Sequence, residues 1–183
     1  MMKIYLDTGG FMALFSKEGW EIIKKEFDEE CNIIFCISPF TLEEFFFNIL
    51  YKKREKEIIE KFCGGIEEDP KKRASAFFQK FGESFAKFLS SFEKVGVESN
   101  VLFLFANKNI LTRLTKNVKT YDLLHLLTAI SNRLDGFLTT DEKFIEWLKR
   151  NKNLFERDIQ PDFKILLMNV KECKLNVLRF NDI

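Results

Sequence analysis

Short apolar runs of strand length alternate with helix starts along this chain, and an acid stands at or near four of the junctions. Lys3-Ile4-Tyr5-Leu6 ends at Asp7, followed at once by Thr8-Gly9-Gly10. Asn32 to Ile37 runs into Ser38-Pro39 and a helix carrying Thr41-Leu42-Glu43-Glu44-Phe45. Thr120-Tyr121-Asp122 opens a helix, and Gly136-Phe137-Leu138-Thr139 leads through Thr140 to Asp141. Strands alternating with helices imply a parallel sheet covered on both faces. Right-handed crossovers place every strand-to-helix turn on one edge of that sheet, and ligands bind there. Asp7 and Asp141 fall at that edge directly. Glu44 lies in the second turn after a strand, and Asp122 opens a helix that packs beside it.

The pattern predicts strands over 3–6, 32–37, 136–139, 164–168 and 176–180. Helices are expected over 9–15, 18–29, 70–94, 121–134 and 141–150. Another should begin at Ser38-Pro39, an N-cap with proline in the first turn, pass Leu50 and reach Phe62, ended by Gly64-Gly65. Val101 to Phe105 suits a strand or a buried helix; apolar positions continuing at 110, 111 and 114 favour a helix from Asn100 to Leu114. The expected fold class is α/β, a three-layer α/β/α arrangement around a central parallel sheet. A length of 183 residues fits one domain, 1–183, with the charged, mostly helical stretch 51–97 inserted after the second strand. The 22 phenylalanines are read as core packing.

A net charge of +1 argues against a protein that coats nucleic acid nonspecifically, but not against a nuclease whose acidic pocket offsets basic residues elsewhere. The basic runs Lys24-Lys25, Lys52-Lys53-Arg54, Lys71-Lys72-Arg73 and Lys149-Arg150 read as solvated helix faces; any near the acidic edge would meet phosphate. Cys31, Cys36, Cys63 and Cys173 form no CxxC, and with the single His125 they make no familiar zinc spacing. They read as reduced, mostly buried thiols of a cytoplasmic protein, with no signal peptide and no membrane span.

Each acid has an ordinary explanation. Asp7 and Asp141 suit helix N-caps, Asp122 suits the helix dipole, and Thr41 with Glu44 matches a capping box. Gathering all four at one edge needs a further reason. Two carboxylates about 5 Å apart repel by roughly 3 kcal/mol at an effective dielectric near 20. A hard cation offsets most of that repulsion, and Mg²⁺ characteristically uses one or two carboxylates and keeps several waters. A metal lowers the pKa of its water and orients it for attack on phosphorus. Thr8 and Thr139 are placed to hydrogen-bond the acids or a substrate phosphate. His125, at i+3 from Asp122 on the face that includes Ala129, reads as a structural histidine, because a metal-activated water needs no histidine base.

These motifs resemble the PIN-domain family of metal-dependent ribonucleases, including toxin nucleases of the VapC type. Ile4 to Phe15 resembles the family's opening strand, Asp-Thr and apolar helix. Thr41-Leu42-Glu43-Glu44-Phe45 is similar to its second motif, Asp122 to Ala129 to its third, and Leu138-Thr139-Thr140-Asp141-Glu142-Lys143-Phe144 to its fourth. The resemblance spans 4–144. It implies that Asp7, Glu44, Asp122 and Asp141 bind Mg²⁺ or Mn²⁺ and hydrolyse RNA, in a homodimer that, in toxin members, is silenced by a small antitoxin. Gly9-Gly10 stands where the family has a serine and an apolar residue. Glu43 beside Glu44 leaves the second acid open by one position, and the length of 51–97 leaves the substrate open. The alternatives are a noncatalytic PIN-fold scaffold for RNA or protein assembly, and a haloacid-dehalogenase-like phosphatase. The second needs an Asp where Gly9 stands.

Overall fold

Strand β1 (Met2–Leu6) lies inside the sheet, and its side chains alternate between two cores. Ile4 and Leu6 enter one apolar cluster, and Tyr5 enters the other. A strand with helices on both faces must be apolar on both, which explains the continuous run. The computed structural model describes residues 1–27, 32–51, 69–97, 101 and 120–183.

After β1 come α1 (Thr8–Phe15), α2 (Lys17–Glu26), β2 (Ile33–Ile37) and α3 (Pro39–Tyr51). Then follow α4 (Pro70–Ser90), β3 (Glu93–Lys94), α5 (Thr120–Ser131), β4 (Gly136–Thr139) and α6 (Glu142–Arg150). The chain closes with β5 (Lys164–Asn169) and β6 (Lys174–Arg179), flanked by 3₁₀ turns at Lys152–Leu154 and Phe180–Asp182. Among the described residues the strands form one six-stranded sheet in the order β3-β2-β1-β4-β5-β6. Every pairing is parallel except β5 with β6. The fold class is therefore α/β, with a central, mostly parallel sheet flanked by helices.

One core layer joins α5 and α6 to the sheet through Leu126, Phe144, Trp147 and Phe137. The other joins α1, α3 and α4 to it and holds a large share of the aromatic rings. There Phe45 stacks on Phe85 at 5.4 Å and meets Phe11 edge-on at 5.1 Å, with Phe77 5.2 Å from Phe85. Offset and edge-to-face aromatic pairs add about 0.5–1.5 kcal/mol each beyond burial. The reading of phenylalanine as core material holds for these residues. Phe47 and Phe78 are exceptions, both exposed.

Several sequence boundaries shift. The helix from Pro70 stops at Ser90, and Glu93–Lys94 pairs with β2 as a two-residue strand inside the span expected to be helical. So short an edge strand carries no periodicity that a sequence reading can detect. The helix expected over 121–134 ends at Ser131, and the last strand starts at Lys174. Cys36 is buried but Cys173 is exposed. Residues 52–68, with the expected helix end at Gly64-Gly65, and 102–119, with most of the expected Asn100–Leu114 helix, lie outside the described residues, as do Cys31 and Cys63. Val101 is helical and buried. Among the described residues no helix is long and apolar enough to cross a membrane.

Candidate active site

Because β1, β2 and β4 run parallel, their carboxyl ends share one edge. Asp7 follows β1, Glu44 lies in the helix after β2, and Asp141 follows β4 by two residues. Helix α5 returns to the start of β4, so its first turn, with Asp122, also faces that edge.

Asp7 is 8% exposed and caps α1, its Oδ1 accepting from the Gly10 N–H at 2.6 Å. Burial pushes its carboxyl up to about 6, and the charge of Asp122 adds to the rise. His125, the Gly10 N–H and the Thr139 hydroxyl oppose it. Desolvation thus outweighs the cap and the hydroxyl donor. The charge of Asp122 is the smallest of these contributions.

Both threonines hydrogen-bond to site acids. Thr8 Oγ1 donates to Glu44 Oε2 at 2.6 Å. Thr139 donates to Asp7, and its Oγ1 accepts from the Asp141 N–H at 3.0 Å. Asp141 itself caps α6, accepting from the Phe144 N–H at 3.0 Å. Asp7 and Asp141 therefore both perform the ordinary work of helix caps. An open depression of about 460 Å³ lies beside Asp141, lined by Thr140, Asp141, Glu142 and Lys143.

Geometry separates the two glutamates. Glu44 meets Thr8 and the Nε2 of His125, the latter at 3.1 Å, whereas exposed Glu43 accepts from the Tyr121 hydroxyl at 3.2 Å. The structure does not build the capping box that Thr41 and Glu44 match in sequence. Thr41 donates to the Leu6 carbonyl at 3.0 Å, tying α3 to the end of β1. Ser38 precedes Pro39 as expected, but its hydroxyl lies 2.6 Å from the Tyr5 hydroxyl.

Sequence reasoning passed over Tyr5 and read Ser38 and Thr41 only as capping residues. Tyr5 is fully buried, 3.0 Å from His125 Nδ1 and 3.2 Å from Thr41 Oγ1. Burial drives its phenol well above the usual tyrosine range, so the hydroxyl keeps its proton. A tyrosine in a strand buried on both faces was a signal, because its hydroxyl needs a partner in the interior. The glycines after Asp7 have a steric reason. A Cβ on Gly10 would lie 2.7 Å from the Leu138 carbonyl oxygen, and one on Gly9 would strike the Thr140 hydroxyl. At Gly10 helix α1 starts too close to the backbone of β4 for a side chain, whereas at Gly9 the obstacle is the Thr140 hydroxyl.

The donors suit a hard cation: carboxylates and hydroxyls around an acid that burial holds above its usual range. Among the described residues, no three His, Cys, Asp or Glu side chains are gathered closely enough to hold a metal ion. Asp7 with Asp122, whose charge it feels, is compatible with the one or two carboxylates that Mg²⁺ characteristically takes.

The sequence matches no family model and no curated protein. A solved structure described as VapBC2 from Rickettsia felis bound to a DNA fragment from their promoter is similar, with a TM-score of 0.48 and 17% identity. That likeness covers 90% of this chain and 97% of the other. At that level it identifies neither substrate nor chemistry.

Proposed function

We propose that this chain is a PIN-like, metal-dependent endoribonuclease whose acids are Asp7, Glu44, Asp122 and Asp141. The observation that carries the reading is Asp7: a buried carboxylate at the carboxyl edge of a parallel sheet that feels the charge of Asp122, shares Thr139 with the Asp141 N–H and stands next to Thr8, which donates to Glu44. A fold gains nothing from burying an acid against another acid unless a cation or a proton compensates. The four sequence motifs support the same assignment. On this reading, residues 1–183 form a single nuclease domain, with α4 part of its core and Glu93–Lys94 part of its sheet.

Asp7 and Asp122 would hold Mg²⁺ or Mn²⁺, with Glu44 and Asp141 orienting its water ligands. The cation would supply acidification of an attacking water and charge stabilisation at phosphorus. Thr8 and Thr139 keep the carboxylates aimed at the edge, and Lys143 offers a positive charge to a phosphate in the depression beside Asp141. Partners under this proposal are RNA, a second copy of the chain and, if the protein is a toxin, a small antitoxin.

The test is cleavage of a mixed pool of tRNA and single-stranded RNA with Mg²⁺, Mn²⁺ or EDTA. Wild type is run beside Asp7→Asn and Asp122→Asn. Metal-dependent cleavage lost in both variants is the expected result. No cleavage with either metal, together with no metal-induced thermal stabilisation, would replace the reading with a noncatalytic scaffold.

A further inference from the structure

Helix α3 turns two large apolar side chains to solvent. Phe47 is 53% exposed and Tyr51 57%, one helical turn apart, with their rings stacked at 5.6 Å and 30°. Burial does not account for them, and an i, i+4 ring pair stabilises a helix only slightly. Helical spacing sets them in one stripe with Phe40 and Glu44. That stripe begins at the acidic edge, where Phe40 meets Tyr121 edge-on at 6.3 Å and the Tyr121 hydroxyl donates to Glu43 at 3.2 Å. From Glu44 to Tyr51 it is about 10 Å long, at a rise of about 1.5 Å per residue. At its far end Arg73 of α4 donates to the Leu50 carbonyl at 3.0 Å, which brings α4's first turn, with exposed Lys71, beside the end of α3.

We propose that Phe47 and Tyr51 form a stacking platform for unpaired nucleobases of an RNA strand that passes the acidic edge beside Glu44. Bases stack on aromatic rings whatever their sequence, because every base has a π face, and an unpaired base presents that face freely. The span from Glu44 to Tyr51 matches roughly three nucleotides at about 3.4 Å each. Lys71 puts a positive charge at the end of the stripe where the next phosphates would lie. The platform deepens the nuclease reading and takes its function from it: the rings would hold the strand while the edge acts on it. It also selects single-stranded RNA over a duplex, whose bases are already stacked and paired.

A protein partner is the competing occupant, and the shape of the patch disfavours it. Among the described residues the large exposed apolar side chains of α3 are Phe47 and Tyr51, and exposed Glu43 stands beside them on the same flank. Phe78 of α4 is 52% exposed but packs on Phe46, on the flank of α3 that faces α4. The apolar surface is therefore a strip along the helix edged by charge. The buried centre of a protein interface is broader and depleted in charge.

The test is fluorescence anisotropy with a short labelled RNA of mixed sequence, alone and annealed to its complement, in EDTA so that nothing is cleaved. Wild type should bind the single strand more tightly than the duplex. Phe47→Leu and Tyr51→Leu keep apolar surface but remove the ring face, and each should weaken single-strand binding by about 5-fold or more. Phe47→Trp should retain it, and Val177→Ser, at an exposed position on β6, should change nothing. Both leucine variants replace exposed side chains, so their melting temperatures should stay close to wild type. Equal binding of duplex and single strand, or unchanged binding in both leucine variants, would overturn the proposal. Wild type that binds no RNA would overturn it too, and self-association lost in Phe47→Ser would then assign the face to a second copy. Ring-dependent binding without metal-dependent cleavage would leave the platform standing and refute the nuclease reading. Cleavage lost in Asp7→Asn, with an unchanged KM in both leucine variants, would do the reverse.

Discussion

Replacing Asp7 with Asn should make the protein more stable at neutral pH, although it removes a charge from the centre of the site. The Asp7 carboxyl is raised from an ordinary 3.8 to about 6. That shift of about 2 units, at 1.36 kcal/mol each, means that ionised Asp7 costs the fold about 3 kcal/mol. Between the two values the native state binds more protons than the unfolded chain. Stability from this group is therefore highest below about pH 4 and falls as pH rises toward about 6, staying low above it. Asn carries no such charge. Its side-chain oxygen can still accept from the Gly10 N–H, and Asn and Asp are about equal as caps. A weaker bond to Thr139 takes back part of the gain, leaving about 1–3 kcal/mol at neutral pH, or roughly 3–10 °C for a chain of this size. Urea and thermal unfolding of both proteins in EDTA at about pH 4 and about pH 7.5 would measure it. The variant should match wild type at the lower pH and exceed it at the higher. An Asp7→Asn protein no more stable than wild type at the higher pH would refute the reasoning, as would a difference independent of pH. If a cation is the compensating charge, millimolar Mn²⁺ should raise the melting temperature of wild type and not of the variant.

Glu44→Gln should lower metal-dependent cleavage by about 10-fold to 100-fold, while Glu43→Gln, at an exposed residue bonded to Tyr121, should change it little. Steady-state rates on a common RNA substrate would separate them, and equal losses would undo the assignment of Glu44. Gly10→Ala should destabilise by about 1–3 kcal/mol, since the new Cβ meets the backbone of Leu138. Denaturant unfolding at wild-type stability would show that α1 does not sit so close to β4. Phe45→Ala, at the centre of the ring cluster with Phe11, Phe77 and Phe85, should cost about 3–5 kcal/mol.

The sequence by itself determined the α/β class and the order of most elements in the described residues, because apolar runs buried on both faces and helix caps are local signals. It also placed Asp7, Glu44, Asp122 and Asp141 at one edge, since parallel strands with right-handed crossovers leave little choice. It could not register the two-residue β3, which exists only through its pairing with β2. Nor could it choose between Glu43 and Glu44, which differ by one step around a helix whose rotation is set by packing on α1 and α5. Tertiary structure alone decided that Ser38 turns to Tyr5 rather than serving only as a cap, and that Tyr5, 120 positions from His125, meets its ring. It also decided that burial, more than any neighbouring charge, raises Asp7. Desolvation and long-range hydrogen bonds depend on what surrounds a group in space, and no local window of sequence contains that.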